Sequence, residues 1–86
     1  MNKTKRHVIR AAKILGSKKS LAQSIKVSAA AVTPWISNDP KKMQLVPPIR
    51  CVLIEQVTNG QVTRKDLRPD DWHLIWPELI DQEGAA

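Results

Sequence analysis

The 86 residues carry a formal net charge of +6, from 14 Lys and Arg against 8 Asp and Glu, and 42% of them are hydrophobic. This balance fits one small domain with a modest core and excludes a large multidomain enzyme. A single cysteine, Cys51, excludes an internal disulfide and a secreted disulfide scaffold, no apolar run approaches the roughly 20 residues of a membrane helix, and the polar, basic start lacks the apolar stretch of a signal peptide, so a cytoplasmic protein is expected.

The first predicted helix covers 5–15. Val8, Ala11, Ala12 and Leu15 fall at i, i+3, i+4 and i+7, one helical stripe, which Ile9 and Ile14 widen. Lys5, Arg6, Arg10 and Lys13 occupy the remaining positions. Thr4 is the expected N-cap, and Gly16 stands where a left-handed residue ends a helix. Ser17 is the expected N-cap of a second helix over 18–25, with Leu21, Ala22 and Ile25 on one side. A helix of about two turns is held by packing, not by propensity. Lys26-Val27 forms a short turn, and Ser28 is the expected cap of a third helix over 29–36 with the stripe Val32, Trp35 and Ile36.

Asn38-Asp39-Pro40 has the chemistry of a turn. Residues 38–48 then form a polar, basic connection that holds Lys41, Lys42 and three of the six prolines. Pro47-Pro48 opens a fourth helix over 49–58, where a missing N–H costs nothing. Ile49, Val52, Leu53 and Val57 are expected to face inward, and Asn59-Gly60 to terminate the helix. Gln61-Val62 is a short extended piece. Thr63-x-x-Asp66 reads as a capping box, with Asp for Glu, opening one turn through Leu67 that Pro69 stops. The tail 70–80 holds Trp72, Leu74, Ile75, Trp76, Leu79 and Ile80, and 82–86 are expected to fray. The expected fold is all-α, a small domain of four to five helices with almost no strand. A DNA-binding unit is expected over 1–70, and an acidic, Trp-bearing tail over 71–86.

Segment 18–37 carries the functional argument. Two short helices joined by about three residues match a helix-turn-helix. Helices crossing steeply over such a turn touch only at Leu21, Ala22, Ile25, Val27, Val32 and Trp35, and Ala22 has to be small because the second helix passes close over it. The charge distribution agrees. Residues 1–50 hold 11 Lys and Arg and one acid, Asp39, giving +10; residues 51–86 hold 3 Lys and Arg and 7 acids, giving −4. One basic half and one acidic half point to a polyanion partner, most simply duplex DNA. Lys18 and Lys19 at the start of the first motif helix, Lys26 in its turn, and Lys41 and Lys42 beyond the second helix are the candidate phosphate contacts.

The exposed side of the second motif helix presents Ser28, Ala29, Ala30, Thr33, Pro34 and Ser37. None is Arg, Lys, Asn or Gln, the usual bidentate readers of guanine and adenine. Ala and Thr methyls meet thymine methyls, and Ser28 and Thr33 supply single hydrogen bonds. Asn38 and Gln44 add to this from the loop. Modest direct readout is therefore expected, with phosphate contacts and DNA shape supplying much of the affinity.

Together these residues resemble a known group. Leu21-Ala22, Val27-Ser28, Ala31-Val32 and Trp35, then Val46-Pro47, Ile49-Arg50-Cys51 and Ile54-Glu55, then Thr58-Asn59-Gly60 and Val62-Thr63-Arg64-Lys65-Asp66-Leu67-Arg68-Pro69-Asp70, are similar to the Cro-like phage and prophage regulators of the YdaS antitoxin type. The resemblance covers roughly residues 10–71, and its narrowest part is the last stretch. It implies a lambda-repressor-like fold and a small repressor or antitoxin-like regulator that binds an operator as a dimer. Three features depart from the pattern. Lys26 stands where the turn usually has Gly, Pro34 stands where such helices carry a polar residue, and the link after Trp35 is longer. A left-handed Lys costs about 1 kcal/mol relative to Gly, and Pro34 removes a helical hydrogen bond and should kink or stiffen the helix.

The remaining groups read as structural. Cys51, between apolar neighbours, is a buried thiol. His7 and His73 are far apart with no second Cys, so no zinc site is expected. Asp66, Asp70 and Asp71 are capping and solvated carboxylates; no nucleophile or Gly-rich loop accompanies them, so neither catalysis nor a cofactor is expected. Trp72, Leu74, Ile75 and Trp76 have two readings: they fold back over the domain and fill a core poor in aromatics, or they form a dimer or partner contact.

Overall fold

The computed structural model describes residues 3–80. Among these it contains six short α-helices and one 3₁₀ turn and no strand. Helix α1 spans Lys5–Leu15, with Val8 and Ala11 buried and Ala12 and Leu15 partly buried beside them. Gly16 ends it at φ 110°, a region that favours glycine. Thr4 occupies the N-cap position, but its side chain caps nothing: it is buried, and its carbonyl accepts from His7 and Val8.

Helix α2 spans Lys18–Ser24, and Ser17 Oγ accepts the Ser20 N–H at 3.0 Å, as its sequence position predicts. Ile25 falls just outside the helix but is fully buried. The turn behind it is a Schellman motif. Val27 N donates to Ala22 O at 2.9 Å and Lys26 N to Gln23 O at 3.2 Å, with Lys26 in the left-handed position at φ 63°. Backbone bonding thus holds Lys26 in a conformation its side chain disfavours.

The predicted third helix divides in two. Helix α3 covers only Ala29–Val32, and Thr33–Ile36 continue as a 3₁₀ turn. Pro34 has no N–H to give the Ala30 carbonyl, and Thr33 N takes that carbonyl instead. Ser28 stands extended at the N-cap position without a side-chain cap bond; its carbonyl accepts Ala31 N at 3.0 Å. Beyond the 3₁₀ turn, Asp39 organises the connection. Its carbonyl accepts from Lys42 and Met43, and its carboxylate accepts Lys41 N at 2.9 Å. Gln44 N then donates to Pro34 O at 3.0 Å, which ties the loop back to the turn.

Helix α4 spans Pro48–Val57. Its inward residues are Cys51 and Ile54, followed by buried Thr58, and not the predicted stripe: Ile49 is 72% exposed, while Val52, Leu53 and Val57 lie at the edge of the core. The helix is apolar around most of its circumference, so period alone cannot set its phase. Side-chain hydrogen bonds set it. Cys51 Sγ donates to Val46 O at 3.4 Å, and Thr58 Oγ1 donates to Ile54 O at 2.7 Å and accepts Val62 N at 3.1 Å. A second Schellman motif closes the helix, with Gly60 N on Glu55 O and Asn59 N on Gln56 O, and with φ 55° at Asn59 and 81° at Gly60.

Helices α5 (Arg64–Leu67) and α6 (Trp72–Ile75) complete the described chain. The capping box is complete: Thr63 Oγ1 accepts Asp66 N at 3.2 Å, and Asp66 Oδ2 accepts Thr63 N at 3.0 Å. Trp76 and Leu79 join the same core cluster as Val8, Leu21 and Trp35. Residues 82–86, expected to fray, lie outside the described residues.

Candidate nucleic-acid interface

Leu21, Ala22, Ile25, Val32 and Trp35 are all buried, and α2 packs on α3 through them while α1 packs on α2 and on the 3₁₀ turn. Trp35 is 3% exposed; a buried aromatic of this kind costs about 3–5 kcal/mol to truncate to Ala. With inward positions so occupied, Ser28, Ala29, Ala30 and Thr33 are left exposed on one surface, and Pro34 and Ser37 are half-buried at its far end. This surface has no long side chain, so nothing on it holds a partner's backbone at a distance.

Lysines flank these residues along the chain. Lys19, Lys26, Lys41 and Lys42 are exposed, and none lies within ion-pair distance of a carboxylate among the described residues. Lys18 is different. It is half-buried, and its Nζ donates to Thr33 Oγ1 at 2.7 Å. One predicted phosphate contact and one predicted base contact are thus joined to each other, a link no spacing rule reveals because 15 residues separate them. In the loop, Asn38 is exposed, and Ser37 Oγ accepts Asp39 N at 3.1 Å.

Other cations are engaged internally. Arg64 Nε stands 3.0 Å from Glu55 Oε2, and its guanidinium lies 5.4 Å from the Trp76 ring centre. Arg68 grips Asp71 bidentately at 3.1 and 2.7 Å and donates its third bond to Val46 O at 3.2 Å. Lys65 sits over the Trp72 ring at 4.6 Å. Arg10 reaches from α1 to the Gln61 carbonyl and lies 3.7 Å from Asp66, while Lys3 pairs with Asp70 at 2.7 Å. The stretch Thr63–Asp71 is therefore a latch that fastens α4, α5 and α6 together, and Asp66, Asp70 and Asp71 are its carboxylates.

Two titrations follow from packing. Burial pushes the Cys51 thiol up to about 12 from its ordinary 9.0. Burial also lowers His7, with Arg6 and Arg10 adding to the effect and Asp66 opposing it. Among the described residues, no three His, Cys, Asp or Glu are grouped to hold a metal ion, and no helix is long and apolar enough to cross a membrane.

The C-terminal contact residues separate. Trp76 is 8% exposed and belongs to the domain's own core. Trp72 and Ile75 are half-buried, and Leu74 is 75% exposed. Of the four residues proposed for a dimer or partner contact, only Trp72, Leu74 and Ile75 keep surface for one.

A relative in Escherichia coli (strain K12), named YdaS and described as a candidate transcriptional regulator, is 35% identical over 63 residues. The aligned part is 72% of this chain and 60% of the relative, so the chain spans less than two thirds of the length of the curated protein it matches. No solved structure matches. The profile of the family described as "Bacterial toxin YdaS" matches residues 8–75, from α1 through α6, and the chain belongs to this YdaS family.

Proposed function

We propose that the protein binds double-stranded operator DNA and regulates transcription, as a Cro-like repressor of a prophage. The observation that carries this reading is the pairing pattern of the cations. Arg64 and Arg68 face carboxylates inside the domain, whereas Lys19, Lys26, Lys41 and Lys42, exposed in the segments before and after the small-residue helix, face none among the described residues. Four such ammonium groups before and after a helix of small residues fit a phosphate-lined major groove. Ala29 to Thr33 enter the groove, Lys18, Lys19 and Lys26 hold one flank, and Lys41 and Lys42 hold the other. Occupying a promoter then blocks transcription. Nothing in this mechanism needs catalysis or a cofactor. Footprinting on DNA adjacent to the encoding locus tests it: protection of one or two half-sites about one helical turn apart is expected, and uniform, sequence-independent protection rejects operator recognition.

A second reading concerns the C-terminal region. Leu74 at 75% exposure, beside half-buried Trp72 and Ile75, is an apolar edge in the acidic half of the chain. It suits a second copy, giving a homodimer on DNA, or the protein partner of an antitoxin. Sedimentation of Leu74→Asp distinguishes them: a shift to monomer supports the homodimer, and unchanged sedimentation with loss of a co-purifying protein supports the partner.

A further inference from the structure

Between α1 and the 3₁₀ turn lies a cavity of about 230 Å³ that opens to solvent. Val8, Ala12, Val32 and Ile36 supply apolar walls, and Lys13 and Lys18 are the charged residues that line it. No acid lines it. An engineered apolar cavity of about 150 Å³ takes benzene, so this one holds an aromatic ring with a short chain, or an alkyl chain of comparable volume. Apolar walls with two cations among them and no anion are complementary to a body without charge that ends in a single negative group.

We infer that this cavity is a binding site for a small monocarboxylate with an apolar body, and that its occupation weakens the grip on DNA. The apolar body displaces water from the walls, and the carboxylate meets Lys13 and Lys18. Lys18 is the connection to the reading surface, because its Nζ donates to Thr33 Oγ1 at 2.7 Å. A carboxylate beside Lys18 competes for that ammonium, draws it from Thr33, and neutralises a charge that otherwise meets phosphate. Ligand and DNA therefore oppose each other, and by linkage DNA weakens the ligand by the same factor. This second half rests on the DNA-binding function proposed above; the first half does not.

The test uses the full chain with methyl and amide NMR, first without DNA. The probes are 4-phenylbutanoate and octanoate, which separate an aryl from an alkyl body, and 4-phenylbutanol as the neutral control. Saturable one-to-one shifts confined to Val8, Ala12, Val32 and Ile36 are expected for a carboxylate, with binding of the alcohol at least about fivefold weaker. Lys13→Gln, a change outside the DNA-contacting set, should weaken the carboxylate about threefold, the size of an exposed ion pair. Shifts that do not saturate, that scatter over the surface, or that are equal for acid and alcohol overturn the site. In the presence of a duplex the protein binds, saturating carboxylate should raise the DNA Kd about fivefold, the lower end of ordinary coupling. An unchanged Kd with a confirmed site overturns the coupling alone, and binding of the carboxylate by a chain that binds no duplex rejects the DNA reading and leaves the site standing.

Discussion

Lys26 holds a left-handed conformation because the Schellman bonds of its neighbours, Val27 to Ala22 and Lys26 to Gln23, leave it no other. The strain costs about 1 kcal/mol relative to glycine. Lys26→Gly should therefore raise stability by about that amount in chemical denaturation, while DNA affinity falls and the salt slope of log K shrinks by about 0.9. An unchanged slope would remove Lys26 from the phosphate contacts. His7 makes a different prediction. Its lowered pKa means that the folded state binds its proton less readily than the unfolded chain, whose value is 6.5. The stability it contributes is complete above 6.5 and is lost as pH falls below it. His7→Gln should flatten the fall in denaturation midpoint between about pH 7 and pH 5 that arises from this group. Cys51 is raised, so its contribution is complete below 9.0 and declines as pH climbs towards 12; at pH 8 the folded protein should resist thiol alkylation that the unfolded chain undergoes.

At the scale of elements, none of the helices persuades by length. Helices α2, α3, α5 and α6 have seven residues or four, too few to persist alone in water. Caps and packing hold them. Helix α5 depends on its reciprocal box, so Thr63→Ala should cost about 1 kcal/mol and loosen the latch that Arg64, Arg68 and Asp71 complete; protection of the Leu67 amide against hydrogen exchange is the direct readout. The division of the predicted third helix at Thr33 traces to one residue, Pro34, whose missing N–H leaves the Ala30 carbonyl to Thr33. The 3₁₀ turn then aims Trp35 into the core and places Thr33 within reach of Lys18.

At the scale of the molecule, the cations divide by the partners they meet. Arg64, Lys65 and Arg68 close ion pairs or lie on tryptophan rings, and Lys3 and Arg10 reach across to Asp70 and Asp66, whereas Lys19, Lys26, Lys41 and Lys42 are exposed and meet no carboxylate among the described residues. If one subunit neutralises about four phosphates, log K for duplex DNA should fall against log salt with a slope of about −3.6; an affinity insensitive to salt rejects the electrostatic footprint. The tail divides along the same line between interior and surface. Trp76→Ala should destabilise the fold by about 3–5 kcal/mol, whereas Leu74→Asp, at an exposed site, should leave stability within about 0.5 kcal/mol and change only assembly or partner binding.

Local chemistry was legible along much of the chain, although Thr4 and Ser28 take their N-cap positions without the side-chain caps expected of them. Gly16, Ser17, the Thr63–Asp66 box, Asn59-Gly60 and the break at Pro34 act through backbone groups a few residues away, and each stands where its chemistry requires. The phase of α4 was not legible, since its apolar residues surround the helix and only Cys51 and Thr58, bonded to Val46 and Val62, choose the inner face. Nor was the division of the cations. Lysine and arginine look alike in a charge count, and whether one meets a carboxylate, a ring or solvent depends on contacts between residues distant in sequence: Arg10 with Asp66, Arg68 with Val46, Lys18 with Thr33. Helix, turn and motif thus follow from short-range stereochemistry written in the residues. Which charges stay free to meet a polyanion follows from long-range packing, because only the folded chain brings partners from separate helices within a hydrogen bond of each other.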